Sequence, residues 1–165
     1  MPKSYLNNTS LPRGLRNNNP GNIRLVQSNN WNGKISFAQN RDYSGSPTNI
    51  VKEFEQFSSL KYGIRAKLVL IYNHITKGKN TIEKLIHVYA PPFENDTIMY
   101  INSVAKALKI NKNSNIELTG ENLIALAKAI STVENGKAYD NYITDKDYQE
   151  ALAILDRPLK KKVTS

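Results

Sequence analysis

Glu134 is the residue of this chain best placed for acid–base chemistry. It ends an apolar helical stretch marked by Leu123, Ile124, Ala127, Ile130 and Val133, and Asn135 and Gly136 follow it. The carbonyl end of a helix is the negative pole of its dipole, which disfavours charge on a carboxylate there. A partly buried glutamate in that setting is expected to hold its proton more tightly, as a general acid must. Gly136 lets the chain turn sharply away and leaves one side of the carboxylate open. An exposed glutamate beside an ordinary glycine cap has the same local pattern.

Glu94 is the second acidic candidate, in Ala90-Pro91-Pro92-Phe93-Glu94-Asn95-Asp96-Thr97. The prolines stiffen this connection and would hold Glu94 toward a cleft. Acidic residues in a first helical turn also serve simply as caps. Asn17, Asn18, Asn19 and Asn22 form a third feature, because amides both donate and accept and so suit sugar hydroxyls and acetamido groups. The same amides can bond their own backbone in turns. Trp31 and Tyr43 offer apolar faces for sugar rings.

Other chemistries are excluded or disfavoured. With no cysteine there is no disulfide, thiolate metal site or thiol nucleophile, and two histidines 13 positions apart, His74 and His87, do not make a metal centre. No cofactor is expected.

The elements that must position these groups are mainly helical. Residues 1–12 read as a loose arm closed by Pro12, and Arg13 to Arg24 reads as a structured loop, rich in Asn, Pro and Gly, rather than a helix. Ile35 and Phe37 alternate with polar neighbours, and Ile50 to Phe57 reads as a second strand. Tyr43-Ser44-Gly45-Ser46-Pro47 between them reads as a turn, so a small antiparallel sheet or hairpin is expected here. Helical spacing then takes over. Tyr62 to Lys77 forms one helix, Thr81 to Tyr89 a second with Asn80 and Glu83 as a capping box, and Asn95 or Asp96 caps a third bearing Ile98, Ile101, Val104, Ala105 and Leu108. A fourth begins at Thr119, and a last one, capped by Asp145, runs to about Asp156. The expected fold class is α+β, predominantly α-helical, with a small β-hairpin or sheet insertion. One domain over 13–157 and a basic tail over 158–165 complete it.

The chain of 165 residues carries a formal charge of +9. Such a field attracts polyanions such as nucleic acid, anionic membranes or the acidic polymers of a bacterial wall. No helix-turn-helix, zinc-finger or RNA-binding signature is present, so no specific nucleic-acid partner is expected. No apolar run approaches the roughly 20 residues of a membrane span, and the first ten residues lack a signal-peptide core.

Arg13 to Arg24, Trp31-Asn32-Gly33, Phe54-Glu55-Gln56-Phe57 and Gly63-Ile64-Arg65-Ala66 occur in an order that resembles a group of phage-associated lysozyme-like proteins. Ala90 to Thr97 with Tyr100, and the late Glu134-Asn135-Gly136, resemble the same group. The chain is also similar to bacterial glucosaminidases and lytic transglycosylases. These set a Glu at a helix end before a small residue and Gly, followed by a loop like Asn19-Pro20-Gly21-Asn22-Ile23-Arg24, a Trp, a hairpin and a Phe-rich strand. Here the Glu-bearing helix comes last, as in a circular permutation of a lysozyme-like core. Two positions depart from that pattern: Val133 stands where it has His, and Ala138-Tyr139 where it has Pro-Tyr.

The resemblance implies cleavage of peptidoglycan glycan strands by a muramidase or lytic transglycosylase. Glu134 would be the acid and Glu94 a second catalytic carboxyl, with Asn17, Asn18, Asn19, Asn22, Trp31, Tyr100 and Tyr139 in contact with substrate. Asp140 and Asp145 are further candidates for a second carboxylate. The alternative is a non-catalytic phage structural or wall-binding protein on the same scaffold. Either would be made in the cytoplasm and delivered to the wall by a virion, a holin pore or a secretion system, with virion components or an immunity protein as partners.

Overall fold

The computed structural model describes residues 2–43, 48–89 and 95–161. Its elements are α1 (Arg13–Arg16), α2 (Leu60–Thr76), α3 (Ile82–Tyr89), α4 (Asn95–Leu108), α5 (Gly120–Asn135), a 3-10 turn (Lys137–Tyr142) and α6 (Asp145–Ala153). They divide into two compact units, residues 1–67 with 130–155, and residues 68–129 with 156–165.

The first unit is built around Leu15, Phe57, Leu60, Ile64, Ile130, Ala151 and Leu155, all buried. The expected sheet is absent: the described residues of 23–57 hold only two isolated antiparallel bridges, Arg24 with Phe54 and Lys34 with Phe57. The fold is therefore helical with a long irregular segment, not α+β. Beyond the backbone bonds that flank those two bridges, such as Leu25 N–H to Glu53 O and Ile35 N–H to Gln56 O, side chains satisfy much of this segment's backbone. Asn19 Nδ2 donates to the carbonyls of Ile23 and Glu55, both at 3.0 Å, and Asn40 Nδ2 donates to Phe54 O at 3.0 Å. Asp42 Oδ2 accepts from the N–H groups of Glu53 and Phe54, both at 3.1 Å. Lys52, at φ 54°, also breaks the extended run.

Other local differences have similar causes. Arg13 to Arg16 does form one helical turn, its amides of Leu15 and Arg16 bonding back to Pro12 O. Residues 2–12, expected as a loose arm, are tied down. Lys3 pairs with Asp147 at 2.8 Å, Tyr5 N–H donates to Asn18 Oδ1 at 2.8 Å, and Leu11 is buried. The cap of α6 is Thr144, which exchanges hydrogen bonds with Asp147 in a capping box; Asp145 is the first helical residue. The turn expected over 43–47 falls mostly outside the described residues.

One close approach fixes the geometry of this unit. A Cβ at Gly63 would land on the carbonyl oxygen of Asn18, so only glycine lets the asparagine loop lie directly on α2.

The second unit has its core in Leu68, Ile71, Ile82, Leu85, Ile86, Val104, Leu123 and Leu126, with α3 packed on α4. The α3 cap is the Thr81 hydroxyl, which accepts from Lys84 N–H at 3.2 Å, while Asn80 bonds Asn115. On α4 the buried positions are Thr97, Tyr100, Ile101 and Val104, and Ile98, expected inside, is exposed. The basic stretch from 158 is also tied here: Pro158 O accepts from Tyr72, and Lys160 pairs with Glu117 at 2.9 Å. Among the described residues, no helix is long and apolar enough to cross a membrane.

Candidate functional site

Three segments of the first unit meet around Glu134. The end of α5 supplies Glu134 and Asn135, the loop after α1 supplies Pro20, Gly21 and Asn22, and α2 supplies Lys67. Asn22 Nδ2 donates to Glu134 Oε2 at 3.0 Å across 112 positions of sequence. Asn22 adopts φ 49°, a left-handed conformation asparagine tolerates better than most side chains, and this turns its amide to the carboxylate. Asn135 Nδ2 donates to Pro20 O at 3.0 Å and back to Ser131 O at 3.1 Å, locking the loop to the helix end. Gly14 lies against the Asn135 side-chain oxygen, too close for a Cβ. At Gly136, φ 96° carries the chain out of the helix and away from the carboxylate.

Lys67 is the residue that sequence reasoning missed. It is only 3% exposed, and its stem runs beneath Gly21, where a Cβ would come within 2.5 Å of Lys67 Cδ. Burial pushes its pKa down to about 8, partly offset by the negative charge of Glu134. A signal was present in the sequence. Lys67 falls among Ile64, Leu68 and Ile71 on the apolar stripe of α2, where a charged residue asks for an explanation.

The other expected site residues divide. Glu134 is exposed rather than partly buried, and so is Val133 beside it. Asn17, Asn18 and Asn19 are fully buried and spent on the fold. Asn17 donates to Asp42 Oδ1 at 3.0 Å and accepts from Gln56 at 2.9 Å, and Asn18 donates to Phe57 O at 2.8 Å. A sugar could reach them only by displacing those bonds, so of the four loop asparagines Asn22 alone stands at the carboxylate. Trp31 is half-buried, and its buried Nε1–H meets no acceptor among the described residues. Tyr139 is half-buried on the 3-10 turn just beyond Glu134, against Tyr142 at 5.6 Å between ring centroids. Tyr100 is buried in α4 of the second unit. Glu94 lies outside the described residues. Asp140 and Asp145 are exposed, and Asp140 accepts from the Thr132 hydroxyl at 2.7 Å. No cluster of three metal-binding side chains occurs among the described residues.

Fold and site together define a basic, helical protein whose exposed helix-end carboxylate is held by an asparagine loop above a buried lysine. No family model matches the chain. Over 127 residues it is 36% identical to Protein P5 of Pseudoalteromonas phage PM2, an alignment covering 75% of this chain and 71% of that protein. The chain belongs to the family of that phage protein.

Proposed function

We propose that this protein cleaves the glycan strands of bacterial peptidoglycan, with Glu134 as the general acid. The observation that carries the proposal is the hydrogen bond from Asn22 to Glu134 Oε2. It ties the carboxylate to the loop that the resemblance to wall-cleaving enzymes singles out, and a permuted site of that kind requires the two to meet. Asn22 fixes one carboxylate oxygen and leaves Oε1 to face the glycosidic oxygen. Protonation of that oxygen breaks the C–O bond through an oxocarbenium-like state.

The same carboxylate, now ionised, then takes a proton either from water, giving a hydrolytic product, or from the muramic C6 hydroxyl, giving an anhydro-ring. Lys67 lies beneath the loop that carries Asn22, close enough for its charge to interact with that of Glu134. The kinship with a phage protein fits delivery to the wall by a virion. The charge of +9 would concentrate the protein on an anionic wall.

The exposure of Glu134 favours a second reading, in which the same site binds wall sugars without cutting them. Digestion of purified peptidoglycan by wild type and Glu134→Gln, with mass spectrometry of the chain ends, separates the two. Anhydro-muramyl ends lost in the variant mean a lytic transglycosylase, reducing muramic ends a muramidase, and reducing glucosamine ends a glucosaminidase. An intact wall with both proteins would sink the enzymatic proposal.

A further inference from the structure

Arg13 and Arg24 converge on one buried ring. Their guanidinium carbons stand 4.5 and 4.6 Å from the centroid of Phe54, itself only 5% exposed. The two cations can therefore be no farther apart than the sum of those distances. Arg13 has no acidic partner among the described residues, and Arg24 has one, Glu53. Among the described residues the Arg13 side chain makes no hydrogen bond or ion pair, and its Nε is buried without an acceptor. Arg24 is largely exposed and only loosely opposed by Glu53, at 3.6 Å. Arg16 adds a third positive group, its pKa lowered by burial and then by the charge of Arg13, against the pull of Asp42.

Stacking on an aromatic face orients a guanidinium while leaving its N–H edge for an acceptor. This pair also flanks the Glu134 site along the chain. Arg13 adjoins Gly14, which lies against Asn135, and Arg24 is two residues beyond Asn22, which holds Glu134. We infer that Arg13 and Arg24 form an anion-binding clamp beside Glu134 that recognises the carboxylates of the wall's stem peptides. The site then takes an acidic peptidoglycan strand rather than a neutral polymer of the same sugars. The inference deepens the glycan-cleaving reading and rests on it for the identity of the polymer.

The test is binding, so that it does not depend on cleavage. The full chain carrying Glu134→Gln is co-sedimented with three insoluble probes: peptidoglycan stripped of phosphate polymers by hydrofluoric acid, the same material with its carboxyls amidated, and chitin. The expected result is binding to the first that is at least about tenfold tighter than to the other two, the scale of one charge-assisted contact. Arg13→Met with Arg24→Gln added should abolish that difference, whereas Arg13→Lys should keep much of it. Arg24→Gln alone changes an exposed side chain and keeps the test open if the double variant fails to fold. Equal binding to amidated and native wall would overturn the inference, as would a folded double variant that still discriminates. Wall that keeps its phosphate polymers is the control: binding to it that is lost on acid stripping and indifferent to amidation would assign the clamp to phosphate and overturn the carboxylate assignment. Cleavage by wild type, together with a folded double variant that still discriminates, refutes the clamp alone. A chain that binds through carboxylates but never cleaves refutes the enzymatic reading alone.

Discussion

Replacing Lys67 by methionine should make the protein more stable at neutral pH. The folded pKa of Lys67 is about 8, against an ordinary 10.5. Below 8 both folded and unfolded chains carry the proton, and folding must bury the charge. Between about 8 and 10.5 the unfolded chain binds more protons than the folded one, so the Lys67 contribution makes stability rise with pH across that window. Above 10.5 both are neutral and the penalty is gone. The difference corresponds to about 3 kcal/mol at pH 7. Methionine keeps most of the apolar stem beneath Gly21 without the ammonium, so Lys67→Met should recover much of this. For a chain of this size that is a rise of roughly 6–12 °C in Tm. Thermal melts of both proteins at pH 7 and pH 10.5 provide the assay. The gap should be wide at pH 7 and nearly closed at pH 10.5; taking the difference cancels the titration of the other lysines and tyrosines. A variant less stable than wild type at pH 7, with a gap independent of pH, would refute the reasoning: Lys67 would then be fully compensated where it lies. If Glu134 works as proposed, the stabilised variant should also lose activity on peptidoglycan, a trade familiar at functional sites.

Gly63→Ala should be among the most damaging single substitutions. The new Cβ would strike the Asn18 carbonyl, and relief requires moving either α2 or the asparagine loop. A loss of about 3 kcal/mol or more is expected in urea denaturation, and a loss below about 1 kcal/mol would show that the loop can lift off α2. Asp147 has its pKa held below the usual 3.8: burial pushes it up, but the hydrogen bond from Lys3, those from Thr144 and the Lys3 charge outweigh it. A depressed carboxylate stabilises the fold above its unfolded pKa and loses that contribution as pH falls through the folded value. Asp147→Asn should therefore be less stable at pH 7, with the gap to wild type shrinking as pH drops below 3.8; a gap unchanged at pH 2 would contradict the charge-based account.

Most of the helical part was legible from hydrophobic period. The helix expected over Tyr62–Lys77 spans Leu60–Thr76, and the one expected over Thr81–Tyr89 spans Ile82–Tyr89. Period alone misjudged faces where an apolar residue stands at the edge of the stripe, as Ile98 does at 51% exposed and Val133 at 50%. The sheet failed for a different reason. Alternation at Ile35, Phe37 and Ile50 to Phe57 reports which side chains point inward, not what satisfies the backbone. Here pairing with the neighbouring segment stops at two isolated bridges, and Asn19, Asn40 and Asp42 satisfy much of the rest. At the site, Glu134 was visible from its place at a helix end. Its partners divide: Asn22 was named among the site residues, and the permuted order called for its loop to lie by Glu134, whereas Lys67 reaches the site only through tertiary packing.

The asparagine loop reconciles these observations. Four amides close together look like a surface built for sugars, yet three of them are consumed in holding a segment that has no sheet of its own. Each such bond contributes only about 1 kcal/mol net, but leaving one buried partner unpaired costs about 1–3 kcal/mol, so the set strongly favours one path for the chain. That path lays Asn18 on Gly63, seats Pro20 on Asn135 and delivers Asn22 to Glu134. The buried amides thus act on the site through the position of Asn22. Loss of Asn17, Asn18 or Asn19 would act through the fold, whereas loss of Asn22 would act on the carboxylate itself.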